Sequence, residues 1–207
     1  MSSIISSKEI YDSLDLLFPN AKCELVYHNL FELLVCVVLS AQTTDKAVNA
    51  VTKQLFNKYP SSYELAKANI VDVKEIIKSI GLSSTKAKNI IALSQELNDK
   101  FNGIIPNTLN ELESLPGVGH KTASVVLCEG FKIPAVPVDT HIFRIAHRLG
   151  ISDGKTVEAV EKDIAKSFEK DKWCQLHILL ISFGRYICKA KNPDCLNCPF
   201  NGRCNNQ

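Results

Sequence analysis

The sequence has little net charge and few arginines. Its 24 Lys and Arg residues are nearly balanced by 22 Asp and Glu residues, so the formal net charge is only +2. This total gives no sign of a polyanion partner, so any nucleic-acid surface must be local. Only four of the basic residues are arginines, and all four lie in the second half of the chain: Arg144, Arg148, Arg185 and Arg203. A local basic surface is therefore expected in the second half.

The chain also lacks a hydrophobic run that could cross a membrane. Its longest apolar stretch, residues 30–39, is interrupted by Glu32, and it is far shorter than the roughly 20 residues that span a bilayer. The N-terminus shows no basic segment followed by a long apolar region, so no secretory signal is recognised. The 45% hydrophobic content is ample for a packed core. We therefore expect a folded cytoplasmic protein without a membrane partner and, in the absence of any oligomer signal, a monomer.

Strict alternation of apolar and polar residues, which is typical of β-strands, is missing. Apolar residues instead recur at three- and four-residue spacing, as at Ile90, Leu93 and Leu97, which predicts helices nearly throughout. Gly81 is predicted to close one of these helices. The predicted N-caps are Thr44, Ser83 and Thr108. The pattern indicates an all-α fold of about ten short helices.

Eight cysteines are many for a chain of 207 residues. Four of them follow the spacing C-x6-C-x2-C-x5-C near the C-terminus: Cys188, Cys195, Cys198 and Cys204. Four thiolates this close in sequence can surround one metal centre by local chain folding alone. The spacing by itself suits zinc and an iron-sulfur cluster about equally. Cys36, Cys128 and Cys174 occur singly in apolar helical patterns and are interpreted as structural residues.

A glycine-rich turn between two predicted helices is the second candidate site. The sequence Leu-Pro-Gly-Val-Gly-His-Lys-Thr-Ala at 115–123 precedes a helix predicted over 122–129. Gly117 and Gly119 leave backbone N–H groups unshielded near a helix start, which predicts a phosphate contact of the kind that holds a DNA backbone. A purely steric corner and a free-phosphate site are the alternatives. The Gly-x4-Gly-Lys-Ser/Thr nucleotide loop is absent, so no nucleotide cofactor is expected.

Lys121 and Asp139 are the candidate catalytic residues. Lys121 directly follows the glycine-rich turn, where the partial positive charges of a helix start favour a neutral, nucleophilic amine that could form a Schiff base. Asp139 is predicted to begin the next helix, where its carboxylate is stabilised. The alternatives are a solvated surface lysine and an aspartate that serves only as a helix cap.

Taken in order along the chain, three motifs resemble the endonuclease III family of helix-hairpin-helix DNA glycosylases. They are Leu-Pro-Gly-Val-Gly-x-Lys-Thr-Ala, Val-Asp-Thr-His-x-x-Arg and the four-cysteine spacing. Two segments at 39–45 and 81–87 are also similar, so the likeness covers nearly the whole chain. The resemblance implies a two-lobed all-α fold. A helical barrel lobe would span residues 23–133, with the helix-hairpin-helix at about 108–129, and residues 1–22 and 134–207 would form a lobe with a cysteine loop at 188–204. The resemblance also favours a [4Fe-4S] cluster over zinc.

The resemblance further implies a bifunctional DNA glycosylase and abasic-site (AP) lyase of base excision repair. Its partner would be double-stranded DNA that contains oxidised pyrimidines or abasic sites. Lys121 and Asp139 fall on the catalytic lysine and aspartate of the family, and Gln42 and Leu82 fall on positions that enter the duplex where the damaged nucleotide leaves. The turn residues predicted to contact DNA are Pro116, Gly117, Val118, Gly119 and His120.

The basic residues of the cysteine loop are also expected to contact phosphate. They are Lys189, Lys191 and Arg203. Two other interpretations of the sequence stay open: a non-catalytic DNA-binding module with zinc or a cluster, and a monofunctional glycosylase for another lesion in which Lys121 contacts only phosphate.

Overall fold

The computed structural model describes residues 5–205, and these residues form helices and connecting segments without any β-strand. The α-helices are α1 (Ser7–Leu17), α2 (Leu30–Leu39), α3 (Asp45–Lys58), α4 (Ser62–Ala66), α5 (Ile70–Ile76), α6 (Ser83–Phe101), α7 (Leu109–Glu113), α8 (His120–Val126), α9 (Thr140–Arg148), α10 (Val157–Ser167) and α11 (Trp173–Tyr186). A π-helical turn at Leu127–Phe131 follows α8, and a 3-10 turn at Lys170–Lys172 precedes α11. The predicted all-α class is confirmed. Within the described residues, no helix is long and apolar enough to span a membrane.

Side-chain hydrogen bonds begin most of the helices. Thr44 accepts a bond from the backbone N–H of Ala47 at the start of α3, and Thr108 accepts one from Glu111 at the start of α7. Such caps satisfy N–H groups that have no partner inside the helix. The predictions for Thr44 and Thr108 are therefore confirmed.

The start of α6 differs from its prediction. Ser83 is the first residue of α6 rather than its cap, and the N-cap is Leu82, whose side chain makes no capping bond. Leu82 has a left-handed backbone, with φ 59°. Gly81 also closes no helix, because α5 already ends at Ile76. The predictions for Ser83 and Gly81 are therefore wrong. Both rested on local residue preferences, from which a left-handed leucine at the start of a helix is not expected.

The chain forms two compact units. One comprises Glu24–Phe131, and the other comprises the chain up to Cys23 together with the chain from Lys132 on. The boundaries expected from the resemblance, 22/23 and 133/134, differ from these by one and two residues.

Helix α2 is the centre of the Glu24–Phe131 unit. Every residue from Phe31 to Leu39 is buried, because α2 packs against α3, α6 and α8. The acid in this helix, Glu32, is bonded through its carboxylate to the backbone N–H of His28 at 2.7 Å and to Nδ1 of the same residue at 2.9 Å. These bonds offset the cost of burying the carboxylate. The longest apolar run is thus a core helix.

The other unit is built around α9 and α11, with α1 against α11 and α10 against α9. The close approach of α9 and α11 requires Gly184, because an added Cβ would lie 2.9 Å from Cδ1 of Ile145 and 3.0 Å from Cβ of His141. Phe200, from the cysteine loop, is fully buried and meets Phe183 edge to face, with ring centroids 5.7 Å apart. The cysteine loop is thereby packed onto the core of this unit.

Candidate functional site

The glycine-rich turn joins α7 to α8 and is held by two buried anchors. Leu115 and Val118 are 2% and 6% exposed, and the N–H of Val118 donates to the carbonyl of Leu115 at 3.1 Å. Gly117 has φ 78°, and a Cβ there would lie 2.8 Å from the side-chain amide nitrogen of Asn89, so both its conformation and its surroundings require glycine. A Cβ at Gly119 would meet nothing within 4 Å. The backbone at Gly119 therefore faces open space.

Lys121 is the second residue of α8 and is half-buried, two residues before the buried Ala123–Val126 segment. Its neighbour His120 is exposed, but its Nδ1 lies 2.7 Å from Oε1 of Glu113. The imidazole of His120 is thus engaged with a carboxylate beside the turn. Predicted contact of His120 with phosphate would have to compete with this pair.

Gln42 and Leu82 lie on two turns of the same unit. Both are exposed, Leu82 by 60%, and both have a left-handed backbone, with φ 52° for Gln42 and 59° for Leu82. A non-glycine residue in this conformation is strained, and such residues cluster at functional sites. The two side chains therefore project to solvent from strained turns.

Asp139 belongs to the other unit and is the N-cap of α9. Its Oδ1 accepts a hydrogen bond from the backbone N–H of Ile142 at 2.9 Å, and the side chain is half-buried. The predicted position of Asp139 at the start of a helix is confirmed. His141, in the first turn, contacts Arg144 through Nδ1 at 3.3 Å, so it makes a local bond within α9.

Two arginines of α9 hold the end of α11 and the start of the cysteine loop. The guanidinium of Arg144 donates to the carbonyls of Gly184 at 3.1 Å and Cys188 at 3.0 Å. Arg148 donates to the carbonyl of Lys189 at 2.8 Å and lies 3.3 Å from Sγ of Cys188. These bonds satisfy backbone carbonyls that a helix end leaves without partners. They are long-range contacts that the local sequence pattern did not reveal.

The four predicted metal ligands share one loop. Cys188, Cys198 and Cys204 pack partly against the core of their unit, whereas Cys195 is exposed. Burial raises the pKa of the Cys198 thiol above its usual value; a backbone hydrogen bond at Phe200 opposes this, and the charges of the other three cysteines add to it. Among residues 5–205, no group of three or more His, Cys, Asp or Glu side chains is arranged to hold a metal ion as the side chains stand.

The basic residues of the cysteine loop differ in their surroundings. Lys189 and Lys191 are exposed. Arg203, in contrast, forms an ion pair with Glu9 of α1. Arg203 therefore ties the loop to α1, which is a structural role that its place among the loop cations did not predict.

Sequence analysis also missed Lys86, which is 4% exposed in the first turn of α6. Its Nζ donates to Oγ1 of Thr43 at 2.6 Å. The helical spacing carried the signal, since Lys86 precedes Ile90 and Leu93 by four and seven residues and so shares their buried face.

Comparisons with known proteins agree with the motifs. Residues 35–170 match the family described as HhH-GPD superfamily base excision DNA repair protein. The chain is 46% identical to endonuclease III of Bacillus subtilis over 194 residues, which cover 93% of this chain and 89% of that protein.

Two solved structures are similar to nearly the whole chain. One is a trapped endonuclease III–DNA covalent intermediate in an estranged-adenine complex, with a TM-score of 0.92, 45% identity, and coverage of 96% of this chain and 95% of that one. The other is a non-covalent endonuclease III–DNA complex, with a TM-score of 0.93, 45% identity, and coverage of 96% and 93%. The chain therefore belongs to the HhH-GPD superfamily of base excision DNA repair proteins and, within it, to the endonuclease III family of DNA glycosylases with AP lyase activity.

Proposed function

We propose that this protein removes oxidised pyrimidines from double-stranded DNA through a Schiff base on Lys121 and then cuts the strand 3′ to the abasic site. The observation that carries the proposal is the position of Lys121, half-buried in α8 directly after an exposed glycine turn, in a chain of this family. At 45% identity, the related endonuclease III forms a covalent intermediate with DNA. A lysine amine is the group that forms such a bond with a sugar carbon.

DNA binding would rely on backbone donors more than on net charge. In the turn from Pro116 to His120, Gly117 and Gly119 are exposed, and at Gly119 nothing lies within reach of an added side chain. A phosphate can therefore approach the backbone N–H groups closely. Lys189 and Lys191, exposed in the cysteine loop, would add charge contacts that weaken with salt.

Gln42 and Leu82 would stabilise the duplex after the damaged nucleotide has been flipped out. Extrusion of a base costs a few kcal/mol, and the cost is lowest for a lesion that already stacks poorly. Leu82 offers an exposed apolar side chain that can fill the gap, and Gln42 offers an exposed amide that can hydrogen-bond the orphaned base.

The chemistry would then proceed in two steps. The amine of Lys121 bonds to C1′ while the glycosidic C–N bond breaks, and the base leaves with that electron pair and takes up a proton. Asp139 stabilises positive charge on the sugar and assists proton transfer. The C1′–O4′ bond then breaks, O4′ takes up a proton lost by the lysine nitrogen, and an iminium joins Lys121 to C1′. Loss of a 2′ proton then expels the 3′ phosphate by β-elimination, and water releases Lys121.

We further propose that Cys188, Cys195, Cys198 and Cys204 hold a [4Fe-4S] cluster. The donor set is suitable, because four thiols share one loop. Burial raises the pKa of the Cys198 thiol, and the charges of the other three cysteines add to this rise, a repulsion that bound iron would offset. The bound cluster would cross-link the loop and so fix Lys189 and Lys191. Available thiolates require a reducing compartment, so we place the protein inside the cell.

Borohydride trapping tests the proposed function. The wild type is incubated with a duplex that contains thymine glycol, reduced, and examined for a covalent protein–DNA complex. We expect a complex with the wild type and none with Lys121→Ala or Lys121→Arg. Alanine has no amine, and the guanidinium of arginine cannot form the imine. Lys74→Ala, at an exposed position of α5, is the matched control and should trap normally. Base release without trapping would instead indicate a monofunctional glycosylase, and binding without base release a passive DNA-binding module.

A further inference from the structure

Lys86 is a buried lysine without an acidic partner. It is 4% exposed, and among residues 5–205 its ammonium group has one hydrogen-bond partner, Oγ1 of Thr43 at 2.6 Å, and no ion pair. Burial of a charge with a single neutral partner is unfavourable, and burial lowers the pKa of Lys86 below its usual value. A lysine buried at such a cost points to a role other than stability.

The bond from Lys86 to Thr43 joins the turn of Leu82 to the turn of Gln42. On one side, the backbone N–H of Lys86 donates to the carbonyl of Leu82 at 2.9 Å. On the other side, Oγ1 of Thr43 donates to the carbonyl of Ala41 at 3.3 Å, so Thr43 closes the turn around Gln42. The position of a Cβ on Gly81 lies 4.0 Å from the carbonyl oxygen of Gln42, which shows that the two turns touch.

The backbone conformations of Gln42 and Leu82 need contacts that hold them in place. Gln42 and Leu82 have left-handed backbones, a conformation that persists in non-glycine residues only when the surrounding structure holds it. Neither turn lies within a regular helix, and the N-cap Leu82 makes no side-chain bond that would fix α6 at its start. The ammonium of Lys86 supplies a hydrogen bond from the first turn of α6, which follows Leu82, to the side chain of Thr43, which follows Gln42.

We propose that Lys86 is a positioning residue that holds Gln42 and Leu82 at a fixed separation, so that both enter the duplex together. The proposal rests on the proposed function, in which these two side chains occupy the gap left by the flipped nucleotide. Without the tie, the protein would still bind the DNA backbone but would stabilise the flipped state less, because the two side chains would have to be ordered when they enter.

The test compares Lys86→Met with Thr43→Val, which remove the two ends of the bond with little change in volume. Lys88→Met, at an exposed position of the same helix, is the matched control. Two rates are measured at saturating enzyme: base excision from a thymine glycol duplex, which needs gap filling, and strand cleavage at an abasic site in single-stranded DNA, which does not.

We expect Lys86→Met and Thr43→Val each to lower the duplex excision rate about 10- to 100-fold, with the double variant no slower than the slower single variant. In these variants, the rate of single-strand cleavage and the affinity for undamaged duplex should stay at wild-type values. The unfolding midpoint should also stay unchanged or, in Lys86→Met, rise. Lys86→Arg, which can still donate to Thr43, should restore most of the excision rate.

Three results would overturn the proposal. The first is an excision rate of Lys86→Met equal to that of Lys88→Met. The second is weaker binding of undamaged duplex with a shallower salt dependence, which would make Lys86 a phosphate contact. The third is an equal loss of both activities with a lower midpoint, which would make it a structural residue. An inactive wild type would instead overturn the proposed function itself.

Discussion

Asp139 combines a helix cap with a proposed catalytic role, and one pair of substitutions can separate the two. Its carboxylate accepts the backbone N–H of Ile142 at 2.9 Å. Asparagine caps a helix about as well as aspartate does but carries no charge. Alanine can neither cap the helix nor carry a charge. We expect Asp139→Asn to fold normally and lose turnover, and Asp139→Ala to lose both stability and turnover.

The magnitudes follow from the contacts of Asp139. Loss of the capping bond in Asp139→Ala should cost about 1 kcal/mol, which lowers the unfolding midpoint by about 2–4 °C in a chain of this length. Asp139→Asn keeps that bond and loses only the attraction of a half-buried carboxylate to the helix start and to Arg144, together less than about 1 kcal/mol. Loss of charge stabilisation and proton transfer should lower the rate of base release by about 100- to 10,000-fold.

Three measurements check these expectations on both variants: thermal unfolding, binding to a duplex with an uncleavable abasic-site analogue, and single-turnover base release. Both variants should bind the analogue, and Asp139→Ala should melt at a lower temperature than Asp139→Asn, because it loses the capping bond as well as the charge. Base release by Asp139→Asn at the wild-type rate would leave the residue as a cap alone. Equal destabilisation of the two variants would refute the capping argument.

Three further predictions concern packing, pH and metal. Gly184→Ala should lower the free energy of unfolding by about 1–3 kcal/mol, because the added Cβ would lie 2.9 Å from Ile145 Cδ1. An unchanged midpoint in thermal unfolding would contradict the tight packing of α9 on α11. Burial lowers the pKa of Lys86, so the unfolded state keeps the proton to higher pH than the folded state does. As the pH rises from that lowered pKa to about 10.4, the wild type should therefore gain stability relative to Lys86→Met in denaturant unfolding curves. A constant difference across the pH series would contradict the assigned burial. Cys195→Ser should lose iron and brown colour and should also unfold at a lower temperature than the wild type; a colourless variant with full stability and activity would refute a structural role for the cluster.

The sequence predicted those features of the fold that depend on local chemistry. Thr44 and Thr108 cap helices because a hydroxyl can reach an N–H three residues on, which spacing alone reveals. The left-handed Leu82 was not predictable in this way, because a positive φ runs against the local preference of leucine. The ion pair between Arg203 and Glu9 joins residues 194 apart in sequence, and no local pattern carries such information.

In the candidate site, too, local features could be predicted from the sequence and long-range contacts could not. The positions of Lys121 after the turn and of Asp139 at a helix start could be predicted from short motifs. The proposed role of Lys86 could not be predicted, because it depends on a hydrogen bond to Thr43, which lies 43 residues away in the sequence.

Helix α6 carries two features that must keep their spacing. It begins after Leu82, and Asn89, two turns later, occupies the space in which a side chain at Gly117 would lie. An inserted or deleted residue between positions 82 and 89 would shift one feature along the helix by about 1.5 Å and rotate it by about 100° relative to the other. Helix α6 therefore fixes the spacing between the projecting Leu82 and the residue that packs against the glycine turn. Changes of chain length within the first two turns of α6 should therefore not be tolerated.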